Sequence, residues 1–302
     1  MVKRLGWTVI VLWAIVSLTF AAVFLSPIDP ARAYAGERAT EAVVEQTRKN
    51  LKLDAPLYAQ YFRYLTRMAR GDLGKSFYTG NPVLRSTLGL VPRTALLAGA
   101  ALCVGLLAGV PLGVLAARAR GRPLDRVILF GSLVGVVTPS FVLGFLLLYY
   151  LAFKLAWFPL GGYGSFSALV LPALTLGLPA AAWYARMTRS TMLSIMSEDY
   201  IRNARAKGLP EWMVLGRHAF RNAAAPIVTM VGLDLGVLLG GVLIIENVFG
   251  WPGLGQQTWR AVGSNDVPVV MGTVLTAAFF VAIFNLLADL ANAALDPRVR
   301  YA

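Results

Sequence analysis

Thr94-Ala95-Leu96-Leu97-Ala98-Gly99-Ala100-Ala101-Leu102-Cys103-Val104-Gly105-Leu106-Leu107-Ala108-Gly109-Val110-Pro111-Leu112-Gly113-Val114-Leu115-Ala116-Ala117 contains no Asp, Glu, Lys, Arg or His. A bilayer core about 30 Å thick needs about 20 apolar residues of helix, so this run is long enough to cross a membrane. Similar runs surround it at residues 6–25, 127–152, 168–189, 223–247 and 268–291. Pro172, Pro179 and Arg186 interrupt the run at 168–189, but spanning helices tolerate proline. The whole chain is 57% hydrophobic and 14% charged, against about a quarter charged for soluble domains. The expected fold class is an all-α membrane protein with six transmembrane helices.

Lys3 and Arg4 precede the first run, and Ala33-Tyr34-Ala35 imitates a cleavage site. Leu5 to Leu25 is longer than the roughly 7–15 residues of a signal-peptide core, so the run is read as a retained helix. Orientation follows from arginine and lysine in short loops. Arg118, Arg120, Arg122 and Arg126 follow the second run; Arg189, Arg202, Arg205, Lys207, Arg217 and Arg221 follow the fourth. The opposite loops, 153–167 and 248–267, carry only Lys154 and Arg260. Both termini are expected in the cytoplasm. The chain then divides into an N-terminal helix (1–25), an external segment (26–93) and a five-helix core (94–302) with a cytoplasmic loop at 197–222. In the external segment, 40–52 is polar and helix-forming. Tyr58, Tyr61, Phe62 and Leu65 make an amphipathic helix, and the segment is expected to form a small external subdomain lying on the membrane surface or on a partner.

Several other functions are excluded. The net charge is +13, but the basic residues sit between apolar runs without a nucleic-acid motif. Cys103 is the one cysteine. It allows no internal disulfide and reads as a small buried hydrophobe. His218 has no second ligand near it. Gly71-Asp72-Leu73-Gly74-Lys75-Ser76 imitates a phosphate loop, but no apolar strand feeds it, so it is read as a turn. No catalytic, cofactor or metal site is expected.

The segment Ser197–Pro226 carries the functional signal. Ser197 is placed to cap a short helix, Glu198 and Asp199 suit its N-terminal end, and Arg205 and Lys207 suit its C-terminal end. Gly208 is a natural terminator, and Pro210 fits the first position of a second helix. Ala204 and Ala206 are small; Leu209, Trp212 and Leu215 are expected to be exposed. Such an elbow can enter a groove on a partner.

The string Asp199-Tyr200-Ile201-Arg202-Asn203-Ala204-Arg205-Ala206-Lys207-Gly208-Leu209 resembles the coupling loop of ABC importer permeases. The Glu and first Ala of their general pattern are absent. Arg217-His218-Ala219-Phe220-Arg221-Asn222-Ala223 extends a likeness to the branch for dipeptides, oligopeptides and nickel. Leu53-Asp54-Ala55-Pro56-Leu57, Gly71–Ser76, Pro139-Ser140-Phe141, Glu246–Gly255 and Leu295–Tyr301 are similar to that branch's B-type permease subunit. Two departures are Pro27-Ile28-Asp29-Pro30, where the branch commonly has Pro-Gly-Asp-Pro, and Asp234, where it often has a neutral polar residue.

The resemblance implies a type I ABC importer permease fold in a bacterial or archaeal inner membrane. The chain would pair with a second homologous permease, two ATPase subunits or domains holding ATP and magnesium, and an extracytoplasmic substrate-binding protein. It would not hydrolyse ATP. Asp199, Arg202, Ala204, Arg205, Ala206, Lys207, Gly208, Leu209 and Trp212 map onto the ATPase-coupling loop. Peptide is the expected cargo, with nickel or an oligosaccharide as alternatives. A secondary transporter is the other class, for which Asp234, Arg186, Glu246 and Asp289 would be the intramembrane ionisable groups. Asp234 lies deep in the fifth run, opposite a stripe of Gly232, Gly236 and Gly240. It is read either as a pathway contact or as a buried hydrogen-bonding partner.

Overall fold

The computed structural model describes residues 2–24, 29–36, 38–51 and 53–295, with the backbone alone at 2–5, 23–24, 225, 229, 232–233, 235–241 and 287–295. The elements are α1 (Val2–Phe24), α2 (Pro30–Ala35), α3 (Glu41–Asn50), α4 (Leu57–Ala69), α5 (Val83–Leu88), α6 (Val91–Arg118), α7 (Pro123–Val137) and α8 (Ser140–Leu147). They continue with α9 (Phe166–Met196), α10 (Asp199–Ala206), α11 (Glu211–Met213), α12 (Arg221–Val248), α13 (Leu254–Gly263) and α14 (Val267–Leu295). Among the described residues there is no strand, only one isolated bridge, Lys75 to Pro82. Val83–Arg118, Phe166–Met196 and Val267–Leu286 are long and apolar enough to cross a membrane, and Gly6–Ala22 is a shorter apolar helix.

The run at 127–152, read as one span, is broken in the middle. It is two helices, α7 and α8, meeting at 101°. Thr138 precedes Pro139 and is extended (φ −70°, ψ 120°), because the proline ring disfavours the helical region for the residue before it. The Thr138 hydroxyl donates to the Val134 carbonyl at 2.7 Å and closes the last turn of α7. Beyond Leu147 the chain widens into a π-helical stretch, Leu148–Lys154.

The chain forms two compact units, one of Met1–Thr94 with Pro252–Ala282, the other of Ala95–Trp251 with Ile283–Ala302. In the second unit the backbones of α6 and α9 meet along a glycine seam. A methyl on Gly109 would lie 2.4 Å from the Ala181 carbonyl oxygen, and one on Gly113 2.5 Å from that of Ala185. From the other side, a methyl on Gly177 would lie 2.6 Å from Val104 Cβ. Such small-residue seams let spanning helices pack by close contact where lipid removes the hydrophobic drive. Cys103 points away from this seam and is exposed, which corrects its reading as a buried residue. A core of Leu97, Ala101, Leu171, Leu176, Val242, Ile245, Phe249 and Trp251 fills the same unit. The Phe249 carbonyl accepts from the Gly162 amide at 2.9 Å, and Tyr163 meets Trp251 edge-on at 5.0 Å. The Glu246–Gly255 motif thus holds down the loop between α8 and α9.

In the first unit, α3 and α4 form where the polar and amphipathic patterns predict them. Asp29 accepts from the Ala31 amide to cap α2 and pairs with Arg48 of α3 at 2.7 Å. The Gly71–Ser76 segment is a turn with Gly71 at φ 75° and Gly74 at φ 87°. Buried Asp266 accepts from the Ser76 hydroxyl at 2.5 Å and the Phe77 amide at 3.1 Å. Val83 sits with Ala261 and Val269 in a small core, so close to α14 that a methyl on Gly272 would lie 2.2 Å from Val83 Cγ1.

Candidate coupling elbow and pathway residue

The elbow is built from local rules that mostly match the sequence. α9 ends at Met196, and the Ser197 hydroxyl donates back to the Ser194 carbonyl at 2.6 Å. Ser197 therefore closes α9 and does not cap α10; Glu198 holds the N-cap position, in an extended conformation. At the other end Gly208 has φ 77°, the left-handed region that favours glycine. Its amide donates to the Arg205 carbonyl at 2.9 Å, and the Leu209 amide donates to that of Ala204 at 3.4 Å. Together these two bonds make a Schellman termination. Pro210 is the N-cap of α11 and so lies one residue earlier than expected. A π-helical stretch, Val214–Phe220, joins α11 to α12.

The buried side of the elbow is Ile201, Ala204, Val214, Leu215 and Ala219, packed on Ala117 and Met192, with Leu209 partly covered against them. Leu215 is therefore a core residue, which corrects its reading as exposed, and Leu209 is only half presented. Trp212 is 72% exposed. Arg202, Asn203, Arg205, Ala206, Lys207 and Gly208 are exposed with it. Arg202 pairs with Asp199 one turn earlier. Arg205 forks onto Glu211 at 2.8 and 3.2 Å, bridging α10 and α11 across the turn. That fork holds the Glu211 carboxyl below its usual range. His218 shows no metal partner set; no cluster of three or more His, Cys, Asp or Glu occurs among the described residues.

A tether upstream of the elbow escaped the sequence reading. Buried Asp125, in the first turn of α7, receives two hydrogen bonds from Arg189 of α9, at 2.6 and 2.8 Å. The Gly121 amide adds a third at 2.9 Å. Arg189 is one of many arginines near the short loops in the sequence, and nothing in its spacing singles out Asp125. The Gly105-Gly109-Gly113 periodicity, by contrast, was present as a signal in the second run.

Asp234 is half-buried on α12, across from the buried phenol of Tyr184 on α9. Tyr184 also packs over Gly105 and Gly109 of the seam. The side-chain surroundings of Gly232, Gly236, Gly240 and Asp289, and the whole of Asp296–Tyr301, lie outside the described residues.

Residues 109–301 match the family model described as binding-protein-dependent transport system inner membrane component. Residues 1–98 match the model of the N-terminal part of the same membrane component. The chain belongs to this family. It is 38% identical over 300 residues to the glutathione transport system permease protein GsiC of Escherichia coli O6:H1, covering 99% of this chain and 98% of that one. It is 39% identical over 299 residues to GsiC of Salmonella paratyphi A, with the same coverage. A solved inward-facing structure of the MetNI methionine ABC transporter superposes with a TM-score of 0.57 at 21% identity. It covers 70% of this chain and 96% of that one, a likeness of fold. The protein is thus an ABC importer permease, a non-catalytic inner membrane component of machinery that includes ATPase and substrate-binding partners.

Proposed function

We propose that this permease forms half of a translocation pathway for small peptides and that its elbow at 199–212 transmits the closure of an ATPase pair to the helices. The observation that carries the coupling reading is the elbow itself. Its carbonyls are satisfied by the Schellman bonds, its underside is packed, and its outer side presents Trp212 with Arg202, Arg205 and Lys207. An exposed apolar anchor suits a groove on a partner, and a rigid elbow passes on displacement as rigid-body motion. ATP and magnesium reside on the partner subunits. Six spans, namely α1, α6, the bent α7–α8 pair, α9, α12 and α14, with both termini cytoplasmic, accord with the arginine distribution. Glutathione, named for the relatives, is a tripeptide, which supports peptide-like cargo.

The test is reconstitution with the partner permease, ATPases and binding protein in lipid. Trp212→Ala should lower cargo-stimulated ATP turnover more than tenfold while the permease pair still assembles. Full turnover would remove the elbow from the coupling path. Asp234 is proposed to line the pathway and meet the cargo ammonium. Asp234→Asn should reduce peptide uptake per ATP several-fold. Unchanged uptake across peptides of different charge would leave Asp234 as a packing partner of Tyr184.

A further inference from the structure

We propose that α4 is an interfacial helix seated in the outer leaflet of the bilayer, with Tyr58 and Phe62 at the boundary between lipid headgroups and acyl chains. The proposal rests on the reading above in which α1 spans the membrane with its Phe24 end outside. α1 has 23 residues, about 34 Å at 1.5 Å per residue, close to the hydrocarbon thickness. Its Phe24 end therefore lies near the outer boundary.

α4 meets α1 below that end. The Tyr61 hydroxyl is 2.6 Å from the Ser17 hydroxyl. Phe20 contacts Tyr61 edge-on at 5.3 Å and Tyr64 at 6.1 Å between centroids. Phe20 and Ser17 precede Phe24 by four and seven positions, which sets them about 6 and 10 Å inside. Interfacial helices bury their apolar face by about 5–10 Å, the same depth.

The faces of α4 agree with such a seat. At 100° per residue, Tyr61 and Tyr64 form the side turned to α1. The neighbouring sector holds Tyr58, Phe62, Leu65 and Ala69, with no charge. Tyr58 and Phe62 are 68% and 61% exposed. Arg63, Arg67 and Arg70 lie beyond, on the side away from that sector. A water-soluble partner could reach Tyr58 and Phe62 only by entering lipid beside α1. Aromatic side chains with an apolar body are favoured at that depth. The helix would hold the external subdomain against the membrane plane, with the Tyr61 phenol donating to the Ser17 oxygen while the Ser17 hydroxyl donates to the Trp13 carbonyl at 2.8 Å.

The experiment places single nitroxide labels at Tyr58→Cys and Phe62→Cys on a Cys103→Ser background, with Tyr78→Cys as a solvent-exposed reference. The intact importer is held in nanodiscs of phosphatidylethanolamine and phosphatidylglycerol. Power saturation with oxygen and with a water-soluble nickel chelate reads depth. Oxygen accessibility several-fold above nickel at 58 and 62, reversed at 78, is the expected result. Nickel-favoured collisions at 62 would overturn the proposal, and so would a label immobilised and shielded from both relaxants, which marks a protein partner. This depth measurement does not depend on which side α4 occupies. An impermeant maleimide applied to intact cells carrying Gly80→Cys tests orientation separately, so a failure of topology is told apart from a failure of lipid seating.

Discussion

The turn at 71–83 and the elbow at 199–212 are both punctuated by left-handed glycines, yet the side chains that brace them come from different places. The first is clamped from outside itself: Asp266, almost two hundred residues away in sequence, takes the Ser76 hydroxyl and the Phe77 amide, and Tyr78 donates to the Ser264 carbonyl at 2.6 Å. The elbow's own turn is closed from within, by the Gly208 termination and the Arg205–Glu211 fork, while its underside packs on Ala117 and Met192 and Tyr200 accepts from Asn222 of α12 at 2.8 Å. A methyl on Gly208 would meet nothing within 4 Å, whereas one on Gly74 would sit 3.6 Å from Arg67 and 3.7 Å from Pro268. A segment tied to distant chain is built to stay in place. One whose turn is closed by its own bonds and whose underside is packed keeps its shape while its outer surface stays exposed.

The comparison breaks most visibly at Asp266. Removing it strands a buried hydroxyl and a backbone amide, at about 1–3 kcal/mol for each unsatisfied group. Asp266→Ala should lower the thermal midpoint of the purified permease by several degrees and open the 75–82 turn to proteolysis. The elbow should be untouched, so ATPase recruitment by the folded fraction should persist. Equal loss of stability and recruitment would mean that the two regions are not separately held.

At Gly208 the expected effect on stability is smaller and the effect on coupling larger. Alanine there bears the left-handed penalty of about 1–2 kcal/mol without any clash. Gly208→Ala should leave the thermal midpoint within a few degrees and cut cargo-stimulated ATP turnover several-fold. Gly208→Pro, whose ring cannot reach φ 77° and has no amide for the Arg205 carbonyl, should abolish it. Normal turnover in the proline variant would sink the elbow assignment.

The contrast also explains what is legible in the sequence alone. The elbow was legible because its logic is local: acids first, bases last, glycine after them and proline next, all within a dozen residues. The Ser197 cap, the proline offset and the exposure of Leu209 and Leu215 differ from the sequence reading; Ser197 is drawn to the end of α9, and the two leucines are covered by tertiary packing. The clamp was not legible, because Asp266 and Ser76 are joined by tertiary structure alone. The same holds for Asp125 with Arg189. Apolar runs announced most of the long helices, but the 101° bend at Thr138–Pro139 was hidden. Proline breaks one helix here and is carried inside α9 at Pro172 and Pro179, so proline in the sequence does not by itself mark the break.

The smallest expected effect lies in the fork between Arg205 and Glu211. Both side chains are well exposed, at 38% and 43%, and exposed pairs contribute about 0–1 kcal/mol. The Glu211 carboxyl is held below its usual range, chiefly by the hydrogen bond from Arg205. A carboxyl lowered in the folded state contributes stability that is present above its unfolded value and lost as pH falls through the folded one. The fork should therefore be intact at neutral pH and weaken only in acid, below the ordinary glutamate range. Glu211→Gln removes the charge at every pH and frees Arg205. If the fork only stiffens the elbow, this variant should lower coupled ATP turnover about two-fold at neutral pH, and lowering the pH should shrink the difference from the unmodified protein. If Arg205 instead meets the ATPase directly, Glu211→Gln should raise affinity for it, and Arg205→Ala should do far more damage than Glu211→Gln. Measuring both variants for binding as well as turnover separates an elbow braced from within from one that trades its internal bond for a partner's acid.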